Sequence, residues 1–233
     1  MGMKFNLGNM LFFDIECVPQ QSSFYDLDDG MKALWERKVS GARRNPQDGE
    51  EIKADESYEN RSGIYAEFGK IIVVSVGYFT KTGDGSRQFH VKSFAGDDER
   101  KVISSFFELL NTSYDKTFHL LCGHNIKEFD IPYICRRALV NGLDLPTILD
   151  LNGKKPREVN HVDTLELWKF GDRKSFTSLD LLCRVMGIET PKDDISGEQV
   201  SRVYRDDKDL PRIKTYCEKD VVATAKLLLK FTK

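Results

Sequence analysis

Asp14-Ile15-Glu16 stands inside an apolar run, Met10-Leu11-Phe12-Phe13-Asp14-Ile15-Glu16-Cys17-Val18, that Pro19 ends. Two carboxylates spaced two apart on a strand point to the same face. Burying an isolated carboxylate costs several kcal/mol even after relaxation, and no lysine or arginine lies between Leu11 and Gln21 to offset it. A strand end open to solvent, backbone donors or a bound cation would each resolve the conflict. Far along the chain, Tyr216 and Asp220 stand four apart in Tyr216-Cys217-Glu218-Lys219-Asp220, neighbours on one helical face. Between these pairs lies His124-Asn125-Ile126-Lys127-Glu128-Phe129-Asp130. Brought together, Asp14, Glu16, Asp130 and Asp220 could hold two divalent cations, and the Tyr216 hydroxyl could aim a water. Oxygen ligands suit Mg²⁺ or Mn²⁺, and a pair of such ions can clamp an in-line displacement at phosphorus. A phenol with an ordinary pKa near 10 is a poor general base, so the metal would account for most of the water's deprotonation.

Each piece alone also has a bland reading. Asp130 at the start of a helix is an ordinary cap or first-turn residue. Tyr216 and Asp220 alone fit a surface helix with a half-buried tyrosine, and Glu218 and Lys219 are expected to project elsewhere into solvent. Asn125 and Phe129 add weight to Asp130, because the strand-to-helix corner is where an α/β fold places ligands. There an amide could meet a sugar or phosphate, and a ring could stack on a base.

The elements that must position these residues follow from periodicity and punctuation. The run from Met10 to Val18 reads as a buried strand. Lys70 to Phe79 (KIIVVSVGYF) and Arg87 to Phe94 read as two more strands, joined in a hairpin by Thr82-Gly83-Asp84-Gly85. Asp97-Asp98-Glu99 opens a helix to about Leu110, with Val102, Phe106, Leu109 and Leu110 on one face. His119 to Gly123 is a fourth strand, Asp130 to about Asn141 a helix stopped by Gly142, and Val162-Asp163-Thr164 a fifth strand. Serine and threonine at 175, 177 and 178 precede a helix containing Leu179 to Val185, and a last helix runs from about Leu210 to Phe231. This order predicts an α/β fold, a mixed central β-sheet flanked by α-helices. The polar stretch from Arg37 to Arg61, with RRNPQDGEEIKADE inside it, is expected to be an insertion or mobile loop, and Arg43 and Arg44 in it are either substrate contacts or solvated.

At 233 residues the chain fits one α/β domain, residues 1–233, without an evident linker or repeat. A net charge of −2 weakens any role in coating long nucleic acid more than it weakens a role at a strand end. Five cysteines, at 17, 122, 135, 183 and 217, form no Cys-x-x-Cys pair or zinc-spaced cluster and are expected to be buried, reduced thiols. No secretory leader or membrane-length apolar stretch is visible, so a cytoplasmic protein away from the membrane is expected.

With these residues in place, the chain resembles a 3′–5′ exonuclease of the DEDD superfamily, tyrosine subclass, and is most similar to the proofreading exonuclease domain of family B DNA polymerases. The family's Asp-x-Glu motif matches Asp14-Ile15-Glu16. Its Asn-x-x-x-Phe-Asp motif matches Asn125 to Asp130, followed by Pro132-Tyr133, and its Tyr-x-x-x-Asp motif matches Tyr216 to Asp220. Lys174-Ser175-Phe176-Thr177-Ser178-Leu179-Asp180 resembles the family's Lys/Ser–Leu-Asp segment. The likeness spans roughly residues 11–229, and its force comes from three weak motifs standing in order. It implies a ribonuclease H-like fold and metal-dependent release of nucleoside monophosphates from a 3′ end, with two Mg²⁺ or Mn²⁺ ions per site. Asp14, Glu16 and Asp220 would bind the nucleophile-side ion, Asp14 and Asp130 the second, and Tyr216 would orient the attacking water. Asn125, Phe129, Lys174 and Ser178 would contact nucleic acid; Lys154, Lys155, Arg157 and Arg173, basic residues in loops, are either further phosphate contacts or simply solvated. His161, upstream of a strand, is expected to be structural.

With no polymerase after Lys233, a stand-alone domain is expected, acting on single-stranded DNA in preference to RNA, with a replication or repair protein as a possible partner. The same chemistry on RNA or short oligoribonucleotides stays open, because discrimination rests on the 2′-hydroxyl. So does a non-catalytic binding or adaptor module of the same fold, against which the full set of carboxylates argues.

Overall fold

The computed structural model describes residues 5–40, 53–172, 175–190 and 194–232. A mixed five-stranded sheet has the order β3-β2-β1-β4-β5, built from β1 (Met10–Pro19), β2 (Gly69–Lys81), β3 (Arg87–Ala95), β4 (Leu120–Gly123) and β5 (Val162–Asp163). β2 is antiparallel to β1 and β3, whereas β4 is parallel to β1 and β5. The central strand is therefore the one whose apolar run carries two acids. Its alternation explains how. Leu11, Phe13 and Ile15 fill the core under helices α3 (Glu99–Ser113) and α4 (Asp130–Val140). Met10, Phe12 and Val18 face the long C-terminal helix α8 (Leu210–Phe231). Asp14 and Glu16 fall between them on that second face, where carboxylates replace the apolar residues that periodicity would put there. A register shift between Glu16 and Cys17 interrupts the β1–β2 ladder at the second acid, and such bulges re-aim side chains.

α8 has the predicted bounds. Asp209 caps it by accepting from the Arg212 amide, Pro211 sits in its first turn, and Ile213, Cys217, Val221 and Leu228 are buried along one stripe. Helix α3 begins at the expected acidic residues. Asp98 is its N-cap, and Glu99 is buried, accepting from the Ile71 amide at 2.7 Å and from Arg137 Nε and Nη2 at 2.8 and 2.6 Å. That ion pair ties α3 and α4 to the edge of β2. Beside it, Tyr133 donates to the Gly63 carbonyl at 2.6 Å. A side chain at Gly69 would overlap that hydroxyl and the Gly63 carbonyl, which is why only glycine fits.

The expected loop between Arg37 and Arg61 is corrected in its described parts. Residues 37–40 end a helix, α1 (Asp29–Ser40), and 54–61 form α2 (Ala54–Arg61). Residues 41–52, Arg43 and Arg44 among them, lie outside the described part of the chain. Both helices are polar overall, and what fixes them is an aromatic cluster. Trp35, Tyr58, Phe24 and Phe68 pack edge to face, and Trp35 Nε1 donates to the Ala54 carbonyl at 2.9 Å. Three short helices complete the chain, α5 (Thr164–Lys169), α6 (Leu179–Val185) and α7 (Gly197–Arg202), the last running into a π-helical turn over Val203–Asp207. Thr164 opens α5 rather than ending the fifth strand. Among the described residues, no helix is long and apolar enough to cross a membrane.

Candidate active site

Three elements meet where β1 passes between α4 and α8. Asp130 is the first residue of α4 and is buried. It does not cap its own helix; its Oδ1 accepts from the Ile15 amide at 3.2 Å, between the two acids of β1. α8 places Tyr216, Cys217 and Asp220 on the opposite side, all buried. The Cys217 thiol lies 3.3 Å from Asp14 Oδ2 and 3.5 Å from its carbonyl oxygen. Donor atoms of Asp14, Glu16 and Cys217 fall within 4.8 Å of one another. The structure thus brings Asp14, Glu16, Asp130, Tyr216 and Asp220 close enough to act on one another's charge.

The electrostatics follow from that convergence. Burial, and then the charges of Asp130, Asp220 and Glu16, push the Asp14 carboxyl well above the usual carboxylate range, against the opposing hydrogen bond of the Cys217 thiol. Asp130 is pushed up to about 7, first by burial; its own amide and that of Ile15 oppose the rise, while Asp163 and Asp220 add to it. Burial and then Asp220, Glu16 and Asp14 drive the Tyr216 phenol far above its ordinary value, so it keeps its proton. Desolvated oxygens held together against mutual repulsion are the donor set that a hard divalent cation satisfies. The residues present therefore fit such a metal.

The corner from His124 to Asp130 is folded tightly. Asn125 has φ 64°, and its carbonyl accepts from the amides of Glu128 and Phe129. Its side-chain amide has no partner among the described residues, whereas the Phe129 ring is partly buried against Tyr133 at 5.5 Å. Asp163 reaches this corner from β5, accepting from the amides of Asn125 and Lys127 at 2.9 and 3.2 Å. His124 joins it to the stretch before α6, with Nε2 2.9 Å from the Thr177 carbonyl. Ser178 caps α6 by accepting from the Leu181 amide. Lys174 and Arg173 lie outside the described residues. Lys155 and Arg157 line a groove of about 520 Å³ with Glu128, Glu166, Lys169 and Asp172, so its charges are balanced. His161 accepts from the Leu121 amide and donates to the Ile148 carbonyl, tying β4 to the turn at 147–149.

Three features escaped the sequence reading. Cys217 was expected to be an inert apolar thiol and instead touches Asp14. Glu218 was expected in solvent and instead accepts from Ser93 of β3 at 2.6 Å. Asp163, between Val162 and Thr164 with His161 two residues before it, read as an ordinary strand residue.

A mixed sheet with helices on both faces and acids at its centre defines a ribonuclease H-like α/β fold of the exonuclease class. The chain belongs to the family described as predicted 3′–5′ exonucleases related to the exonuclease domain of PolB, whose model matches residues 64–233. Asp130, Tyr216 and Asp220 fall inside that match; Asp14 and Glu16 precede it. No curated protein sequence matches the chain. Among solved structures it is similar to the family B DNA polymerase of the hyperthermophilic archaeon Pyrobaculum calidifontis, at 20% identity and a TM-score of 0.53, over 95% of this chain and 24% of that one. A second likeness, to E. coli exonuclease I in complex with a dT13 oligonucleotide, has 12% identity and a TM-score of 0.46, over 96% of this chain and 41% of that one. The chain thus spans about a quarter of the polymerase and under half of exonuclease I.

Proposed function

We propose that this chain removes nucleotides from the 3′ end of single-stranded DNA at a site where Asp14, Glu16, Asp130 and Asp220 hold two divalent cations, Mg²⁺ or Mn²⁺. The observation that carries this reading is the buried convergence of acids from β1, α4 and α8, which repel one another and raise each other's pKa. Bound there, the ions would supply an activated water and neutralise charge on the leaving oxygen. The chain's own groups do the rest. Asp14, nearest the middle of the cluster, would serve both ions. Tyr216, kept protonated, orients water by hydrogen bonding and does not act as the base. Asn125, whose side-chain amide has no partner among the described residues, and Ser178, on the stretch tied to it through His124 and Thr177, would hold the terminal nucleotides together with Phe129 and Lys174. The choice of DNA rests on the family's relation to the exonuclease domain of a polymerase. The five cysteines, all free thiols, agree with a cytoplasmic setting, and residues 1–233 are read as one exonuclease unit.

The test uses 5′-labelled DNA and RNA oligomers with Mg²⁺, Mn²⁺ or EDTA, resolved on a denaturing gel. A metal-dependent ladder that shortens from the 3′ end, faster on DNA, is expected. A faster ladder on RNA would overturn the choice of sugar. No cleavage of either, with wild type and Asp14→Ala binding the oligomers alike, would overturn the nuclease reading in favour of a binding module.

A further inference from the structure

Asp163 caps α5 by accepting from the Leu165 amide at 2.9 Å, and a cap needs one acceptor. Yet both its oxygens are engaged, because Oδ1 also takes the Asn125 amide at 2.9 Å and Oδ2 the Lys127 amide at 3.2 Å. Those donors lie 38 and 36 residues upstream, and the carboxylate is only 3% exposed. A carboxylate this deep, satisfied by three backbone amides, fixes the segments that donate to it. The segment in question is the corner that presents Asn125, Phe129 and Asp130. Its first residue is in the left-handed region, so the corner has no regular ladder of its own to hold it.

Thr164, the next residue, is fully buried. Its hydroxyl lies 2.9 Å from His124 Nδ1 and 3.2 Å from the Gly123 carbonyl. The other ring nitrogen, Nε2, faces the Thr177 carbonyl at 2.9 Å and must therefore carry the proton. A relay of side chains thus runs from Thr164 through His124 to the stretch that ends in Ser178.

Resting on the exonuclease reading above, we propose that Asp163 and Thr164 are the positioning residues of this reaction. Asp163 sets Asp130, and with it metal binding; Thr164, through His124, sets the stretch that grips the strand. The two adjacent residues at the end of β5 hold the two halves of the site in register.

The roles predict different losses. Partners that orient a metal ligand typically contribute about 10- to 100-fold in affinity or rate. Asp163→Ala should therefore weaken Mn²⁺ binding, measured by calorimetry without nucleic acid, by about that factor, and lower kcat with it. Asp163→Asn keeps one oxygen for the Asn125 and Leu165 amides and should recover part of the affinity; it also serves if the alanine variant does not fold. Thr164→Val should leave Mn²⁺ affinity unchanged and raise KM for a short oligomer about tenfold, with kcat held. Val162→Ala, an apolar truncation on the same strand, should lower Tm and change neither constant. Unchanged Mn²⁺ affinity in folded Asp163→Ala and Asp163→Asn would overturn the assignment of Asp163, as would an equal loss in Val162→Ala. A Thr164→Val loss confined to kcat would overturn the relay. Wild-type protein that takes no Mn²⁺ would instead refute the metal site on which the proposal rests.

Discussion

The cost of assembling the site can be read in the absence of metal. Burial lifts the Asp130 carboxyl from 3.8 to about 7. Between those values the folded chain holds a proton that the unfolded chain has released. Stability therefore falls as pH rises through this window, and the loss is complete above pH 7. At about 1.4 kcal/mol per pKa unit, a shift of roughly three units corresponds to a loss of about 4 kcal/mol, a large share of the 5–15 kcal/mol typical of a domain. Asp130→Asn removes the ionisation and keeps an oxygen to accept the Ile15 amide. In EDTA at pH 8 the variant should be more stable than wild type by a few kcal/mol, and at pH 5, early in the window, by less than half as much. Urea unfolding at both pH values, followed by circular dichroism, gives the comparison. Mn²⁺ should then raise the stability of wild type at pH 8 and leave Asp130→Asn much less changed. A variant destabilised equally at pH 5 and pH 8 would refute this, because it would show that ionising the buried Asp130 is not a cost the fold bears.

Other substitutions probe separate parts of the same structure. Asp14→Ala should remove cleavage by several orders of magnitude, and Tyr216→Phe should cost less, because the carboxylates survive while water orientation suffers; single-turnover rates on a labelled oligomer compare them. Arg137→Met leaves Glu99 buried without its counter-charge and should destabilise by about 3–5 kcal/mol, read by denaturant unfolding. His161, whose pKa burial lowers from 6.5 to about 4, takes up no proton in the folded state until well below pH 6.5. It should therefore reduce stability as pH falls from 6.5 toward 4, by about 2 kcal/mol at pH 5. His161→Gln, which can keep both hydrogen bonds, should lack that decline in a difference curve against wild type.

Much of this architecture was legible because the strongest signals were also the deepest. β1 and the β2–β3 hairpin declared themselves by apolar runs and turn glycines, and α8 by its stripe of Ile213, Cys217 and Val221. Asp14 and Glu16 drew attention for the opposite reason, as acids in conflict with the apolar surroundings of β1, whereas Asp130, Tyr216 and Asp220, each ordinary alone, gained weight only from standing in order with them. What stayed hidden depends on contacts distant in sequence. Helices α1 and α2 carry too few apolar residues for periodicity to show, and are fixed by Trp35 and Tyr58 meeting Phe68 across the chain. Asp163 read as an ordinary strand residue because its donors lie 36 and 38 residues away. Glu99 looked like a helix-dipole acid until Arg137 folded against it.

The contact between the Cys217 thiol and Asp14 joins residues 203 positions apart. A ribosome adding roughly 5–20 residues per second would need on the order of 10–40 seconds to make that stretch. For all that time the emerging chain already carries Asp14 and Glu16 but lacks α8, the helix that brings Tyr216, Cys217 and Asp220 to their side. On the site proposed above, a growing polypeptide therefore cannot form its active centre piecemeal. Activity would switch on only when α8 emerges and docks, so the order of the chain itself acts as a timer on a hydrolase.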